Sequence, residues 1–127
     1  MNPSDEAVRR VPLDGTCTFI IVQAHHALAL VQCARAARLN GEKQIRQAGT
    51  ELRAAALHVH DAATLLGPEF GHGLRVAAAE AGAVGEQLEA GSQSTQDDIN
   101  RAFVALRKAI EALGAHTGTA QKIARTP

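Results

Sequence analysis

Apolar residues recur along this chain at helical spacing, in four blocks separated by breakers. The second block is the most regular. Ile45, Leu52, Val59 and Leu66 return every seven residues. Ala48, Ala55 and Ala62 follow the first three of these at the third position, and Gly49, Ala56 and Ala63 at the fourth. One large and two small residues per heptad predict a seam along a helix over 42–66. Small seam residues allow a partner helix to approach toward the lower end of the usual interaxial range, about 8–10 Å.

The other blocks read similarly. Ile99, Phe103, Leu106, Ile110 and Leu113 mark one face of a helix over 96–113. Thr95 is its N-cap, Asp97 and Asp98 sit where the helix dipole favours acid, and Gly114 is expected to close it. Leu74, Ala77, Ala81, Val84 and Leu88 give the inner face of a helix over 68–90. Gly71, Gly73, Gly82 and Gly85 weaken that helix, by about 1 kcal/mol each relative to alanine at mid-helix positions. Gly67-Pro68 ends one helix and lets proline open the next. The first block begins with the β-branched run "TCTFIIV", but its continuation, "QAHHALALVQCARAARL", holds strong helix formers and no breaker. A helix over 16–39, stopped by Asn40-Gly41, is the expectation.

Four helices with short joints predict an all-α, antiparallel up-down four-helix bundle with Ala/Gly-rich seams. The bundle is expected over 15–114, after a polar N-terminal arm at 1–14 and before a flexible C-terminal tail at 115–127.

The first helix departs from the pattern of one buried stripe. Cys17, Ile20, Ile21, Leu28, Val31 and Leu39 fall on one face; Phe19, Val22, His26, Leu30 and Cys33 fall on another. Thr18, His25 and Gln32 form a polar strip between them. Two apolar faces mean either a central position or a second partner; the other three helices look one-sided, which disfavours a central position, and a homodimer with two-fold symmetry is the simplest partner. The second face, Phe19, Val22, His26, Leu30 and Cys33, is expected to be the interface.

Composition narrows the classes. The chain of 127 residues carries 13 basic and 13 acidic residues, a formal charge of zero. That balance argues for no nucleic acid and no anionic membrane as partner. Phe19, Phe70 and Phe103 are its only Phe, Tyr or Trp residues, so stacking platforms for single strands are lacking. Cys17 and Cys33 on one helix would lie about 24 Å apart along its axis, far beyond disulfide reach. Free thiols and the lack of an apolar leader in "MNPSDEAVRRVPLDG" lead to a cytoplasmic expectation.

Three of six histidines, with Asp61 and Glu69, lie in "LHVHDAATLLGPEFGHG". His58 and Asp61 share a helix face, and the hairpin about Asn40-Gly41 brings His26 to a similar level. His26, His58 and Asp61 are therefore the candidate ligands for zinc or another transition metal. The competing account is a half-buried His58 paired with Asp61 and a His26 tucked beside Leu30, with no cofactor. His60 points away from His58 and reads as solvated. "EFGH" matches half of the ExxH pattern of di-iron bundles, but no second copy exists in the chain. "LHVHDAATLLG" resembles the histidine-bearing helix of phosphotransfer bundles. It departs from them at Asp61, whose charge would repel phosphate where those helices carry lysine.

The expectation that results is a small non-catalytic interaction module. It would self-associate or hold a peptide, protein or small apolar ligand between helices. A metal-binding sensor or metal-dependent enzyme, and a histidine phosphotransfer-like protein, are the alternatives.

Overall fold

The structure, a computed structural model, describes residues 15–125, and the surroundings of side chains from 18 to 116. The expected arm at 1–14 lies outside the described residues, as do the last two residues of the expected tail. The chain forms four helices: α1 (Gly15–Gly41), α2 (Ile45–Leu66), α3 (Pro68–Glu89) and α4 (Gln96–Arg125). Each helix packs on the next, α1 also packs on α4, and α2 reaches across to α4. The order around the bundle is therefore α1-α2-α3-α4.

Close approaches fix the directions. A Cβ on Gly49 would touch Gly85 and Glu89, whereas one on Gly71 would strike Ala63, so α2 and α3 run antiparallel. The joints that reverse the chain follow turn chemistry. Gly67, at φ 85°, needs the conformational freedom of glycine, and Pro68 follows at the start of α3, where its missing N–H costs nothing. Gly91, at φ 82°, ends α3 in the same left-handed region, with Ser92 N–H donating to the Gln87 carbonyl at 2.9 Å. After α1 that position falls on Lys43, at φ 63°, with Gln44 N–H donating to the Leu39 carbonyl at 2.9 Å. Thr95 caps α4 as its sequence predicts: the Asp98 N–H donates to Thr95 Oγ1 at 3.1 Å.

The core is built from the predicted seams. Leu52, Ala55, Ala56, Val59, Ala62 and Ala63 of α2 are buried, as are Ile99, Phe103, Leu106, Ile110 and Leu113 of α4. Leu74, Ala81 and Leu88 supply the α3 face, with Ala77 and Val84 partly buried against them.

Two expectations are corrected. Helix α4 does not stop at Gly114 but continues to Arg125. Glycine serves there for close approach, not as a cap: a Cβ on Gly114 would lie 2.8 Å from Nε2 of His26 on α1. The second correction concerns the faces of α1. Val22, Ala29, Cys33 and Ala36 are its buried line. Val22 and Cys33, expected at an interface between copies, thus belong to this chain's own core. Alanines decide the matter, because the shortest side chains let α1 settle against α2 and α4, and Ala29 and Ala36 are fully buried. Ile20, Leu28 and Val31, on the other apolar face of the sequence pattern, are about half exposed.

Candidate functional site

Two features of α1 stand apart from the packed core: a histidine pair on its flank and an apolar stripe on its back.

The histidine pair joins α1 to α2. His25 and His58 approach with Nδ1 to Nδ1 at 2.9 Å, their ring centroids 5.2 Å apart and tilted by 43°. At that distance one Nδ1 carries a proton and donates it to the other. Both side chains are half-buried, and His25 belongs to the polar strip that it makes with Thr18 and Gln32 along α1. Desolvation holds the His58 pKa below the ordinary histidine value, the neighbouring His25 lowers it further, and Asp61 opposes both. Gln32 Oε1, two turns along the strip, is buried without a protein hydrogen-bond partner.

The sequence-predicted trio of His26, His58 and Asp61 is not assembled. A one-residue step on a helix turns a side chain by about 100°. His25 consequently faces α2, while His26 faces Gly114 of α4. Asp61 lies instead beside His60, 3.6 Å from its Nδ1, with both side chains about half exposed. Among the described residues no group of three or more His, Cys, Asp or Glu is placed to hold a metal ion. Glu69 and His72, the "EFGH" pair, are exposed in the first turns of α3. Of the five residues expected at the interface, Phe19 and His26 are half-buried at the edges of the core face and Leu30 is 49% exposed.

The stripe on the back of α1 consists of Ile20, Ala24, Ala27, Val31 and Ala34, spaced 4-3-4-3. On a helical wheel it centres about 170° from the buried line of Val22, Ala29, Cys33 and Ala36. All five stripe residues are exposed, and Leu28 and Leu30 flank them at 46% and 49% exposure. From Gly15 to Ala34 the helix carries no Asp, Glu, Lys or Arg; Arg35 and Arg38 follow at its C-terminal end. Cys33 is free and buried, and burial raises its thiol pKa above the ordinary value, although Arg107 opposes the shift. The site residues that the sequence pattern did not single out are therefore His25, whose available signal was the polar strip, and the stripe alanines, whose signal was the 4-3 spacing.

Comparison with known proteins adds no assignment: no protein-family model, no curated protein and no solved structure matches the chain. What the fold defines is an all-α four-helix protein, and among its described residues no helix is long and apolar enough to cross a membrane.

Proposed function

We propose that this protein acts by non-covalent association, as a helical interaction module that pairs through the back of α1 with the same helix of a second copy. The observation that carries this reading is the uncharged heptad stripe on the solvent side of α1. Spacing of 4-3-4-3 is the pattern of a helix packed on another helix, and the core side of α1 already uses a different line of residues. A second copy is the simplest partner because the stripe positions 24, 27, 31 and 34 are spaced symmetrically about their midpoint, as a two-fold pairing of one helix with itself requires. In an antiparallel pair, Ala24 meets Ala34 and Ala27 meets Val31 across the two-fold axis. That orientation also separates the two arginine-bearing ends, which a parallel pair would bring together.

Sedimentation equilibrium at micromolar concentration tests the proposal. The protein is expected to sediment as a dimer and Val31→Glu as a folded monomer, since Val31 is 50% exposed and no core contact depends on it. A wild-type monomer, or a dimer that Val31→Glu leaves intact, would refute it.

A second reading rests on the histidine pair. Two imidazole nitrogens bound to one ion at about 2.0–2.1 Å and at right angles stand about 2.9 Å apart, the His25–His58 separation. Tetragonal ions such as Cu(II) or Ni(II) accept that arrangement. Added Cu(II) should then raise the melting temperature of wild-type protein and of His26→Ala, but not of His25→Ala. An equal shift in all three would eliminate the pair as ligands.

A further inference from the structure

A groove runs between α3 and α4 near the end of the bundle where α2 turns into α3. Its volume is about 570 Å³, within the usual range of about 300–1,000 Å³ for small-molecule sites. Leu74 and Ala109 form a buried floor, and Leu66, Ala77, Ala105 and Ala112 form the walls. The groove exists because these alanines are too short to close the space between the helices. Gly73 widens it further: a Cβ added there would meet nothing within 4 Å. Phe70 stands at the lip, 61% exposed, with its ring centroid 5.0 Å from that of His116. The Phe70 ring thus extends the apolar lining outward from the groove floor.

The charge on the groove is one-sided. Among the described residues, Lys108, whose side chain is exposed, is the one lining residue with a fixed charge, none of the lining residues is acidic, and Lys108 has no ion-pair partner. The occupant must therefore bury an apolar body and present a negative group. A neutral apolar molecule would partly desolvate the ammonium without replacing its water, and a cation would be repelled. The lining residues from Ala105 to His116 extend about 16 Å along α4, room for an acyl chain of medium length.

We infer that this groove binds a small amphipathic monoanion of the medium-chain fatty acid type, its apolar body over Leu74 and Ala109 beneath Phe70, its carboxylate paired with Lys108. The site lies on a different face from the α1 stripe and does not depend on it.

Isothermal titration of the full chain with decanoate, decyltrimethylammonium and acetate tests the inference. Decanoate should bind at one per chain, the cationic analogue at least tenfold more weakly, and acetate not at all. Lys108→Glu should reverse the preference between the two long-chain probes. Gly73→Leu should abolish binding of both while helicity is retained, because its side chain enters open space. Val31→Glu should bind decanoate as wild type does, which separates this site from the association face. Equal binding of the two long-chain probes, or undiminished binding by Gly73→Leu, would overturn the inference. So would a change in the sedimentation of ligand-free protein on Gly73→Leu, which would mean that a second copy fills the groove.

Discussion

The crossing of α2 and α3 makes a quantitative prediction. At Gly49 an added Cβ would lie 2.6 Å from the Glu89 nitrogen, 2.6 Å from the Gly85 carbonyl oxygen and 2.7 Å from Leu88 Cβ. At Gly85 it would lie 2.8 Å from the Arg53 nitrogen and 2.9 Å from the Gly49 oxygen. Comfortable carbon contacts lie near 3.5–4.0 Å, so either alanine requires the helices to separate by about 1 Å. Most of the opposing atoms are backbone and cannot rotate aside. Overpacking of this kind costs about 1–3 kcal/mol. Removing glycine from a helix interior returns about 1 kcal/mol. Gly49→Ala and Gly85→Ala should therefore each destabilise, by up to about 2 kcal/mol. The double variant should lose less than the sum, because once the helices have parted the second methyl finds space. Gly82 is the internal control: its nearest neighbour would be Ala56 Cβ at 3.6 Å, an ordinary contact. Gly82→Ala should stabilise by up to about 1 kcal/mol. Urea denaturation at constant m-value reads these differences as shifts in midpoint. The reasoning fails if Gly49→Ala is as stable as wild type, or if Gly82→Ala loses as much as Gly49→Ala.

Other expectations concern charge and backbone. Because the folded state holds the His58 pKa below its ordinary value, the native protein binds fewer protons than the unfolded chain. Stability from this source is present above about pH 6.5 and is lost as pH falls through the folded value. Urea midpoints should fall as the pH drops below about 6.5, and less steeply in His58→Gln; identical slopes would remove the pair as the cause. Arg53 on α2 makes a two-pronged bridge to Glu89 on α3, Nη2 to both carboxylate oxygens at 3.0 Å, with its side chain 53% exposed. Arg53→Ala should cost less than about 1 kcal/mol, and less still in molar salt; a larger or salt-independent loss would show that packing, not charge, matters there. Lys43→Gly should stabilise by up to about 1 kcal/mol by removing a side chain from the left-handed region, and a lower melting temperature would contradict that account.

The four helices were legible because their seams are periodic and their breakers unambiguous. The α2 heptads, the α4 face, the Gly67-Pro68 joint and the Thr95 cap all take the places their chemistry predicts. Two kinds of information were not legible. Rotation of α1 was misjudged because hydrophobicity weights large residues, whereas in this bundle the closest contacts are marked by small ones: Ala29, Ala36, Ala48, Ala55 and Ala62 are all fully buried. Facing was the second. The hairpin brings His25 and His26 alike to about the level of His58, but level does not decide which ring turns toward α2: His25 does, and His26 faces Gly114 of α4. An error of one residue leaves the helices intact and exchanges the chemistry of the site. Glycine was ambiguous for a related reason. Gly67 and Gly91 supply positive φ at chain reversals, whereas Gly49, Gly85 and Gly114 supply space at crossings, and the residue type alone does not distinguish the two uses.

The same use of small residues connects the interior of the bundle to its surface. Where α2 meets α3, glycines at 49 and 85 bring the two backbones into contact, and alanines continue the seam on either side. The back of α1 repeats that composition with Ala24, Ala27 and Ala34, between Ile20 and Val31, at spacing a straight helix can keep against a neighbour. In the core such residues are small because a second helix occupies the space above them. On a surface that water alone covered, helix propensity would favour Ala24, Ala27 and Ala34, but not the β-branched Ile20 and Val31. Lysine or glutamate there would form helix equally well and would improve solubility. A helix lying across the stripe, as proposed above, would cover Ile20 and Val31, and a second α1 in antiparallel orientation would do so while keeping the two arginine-bearing ends apart.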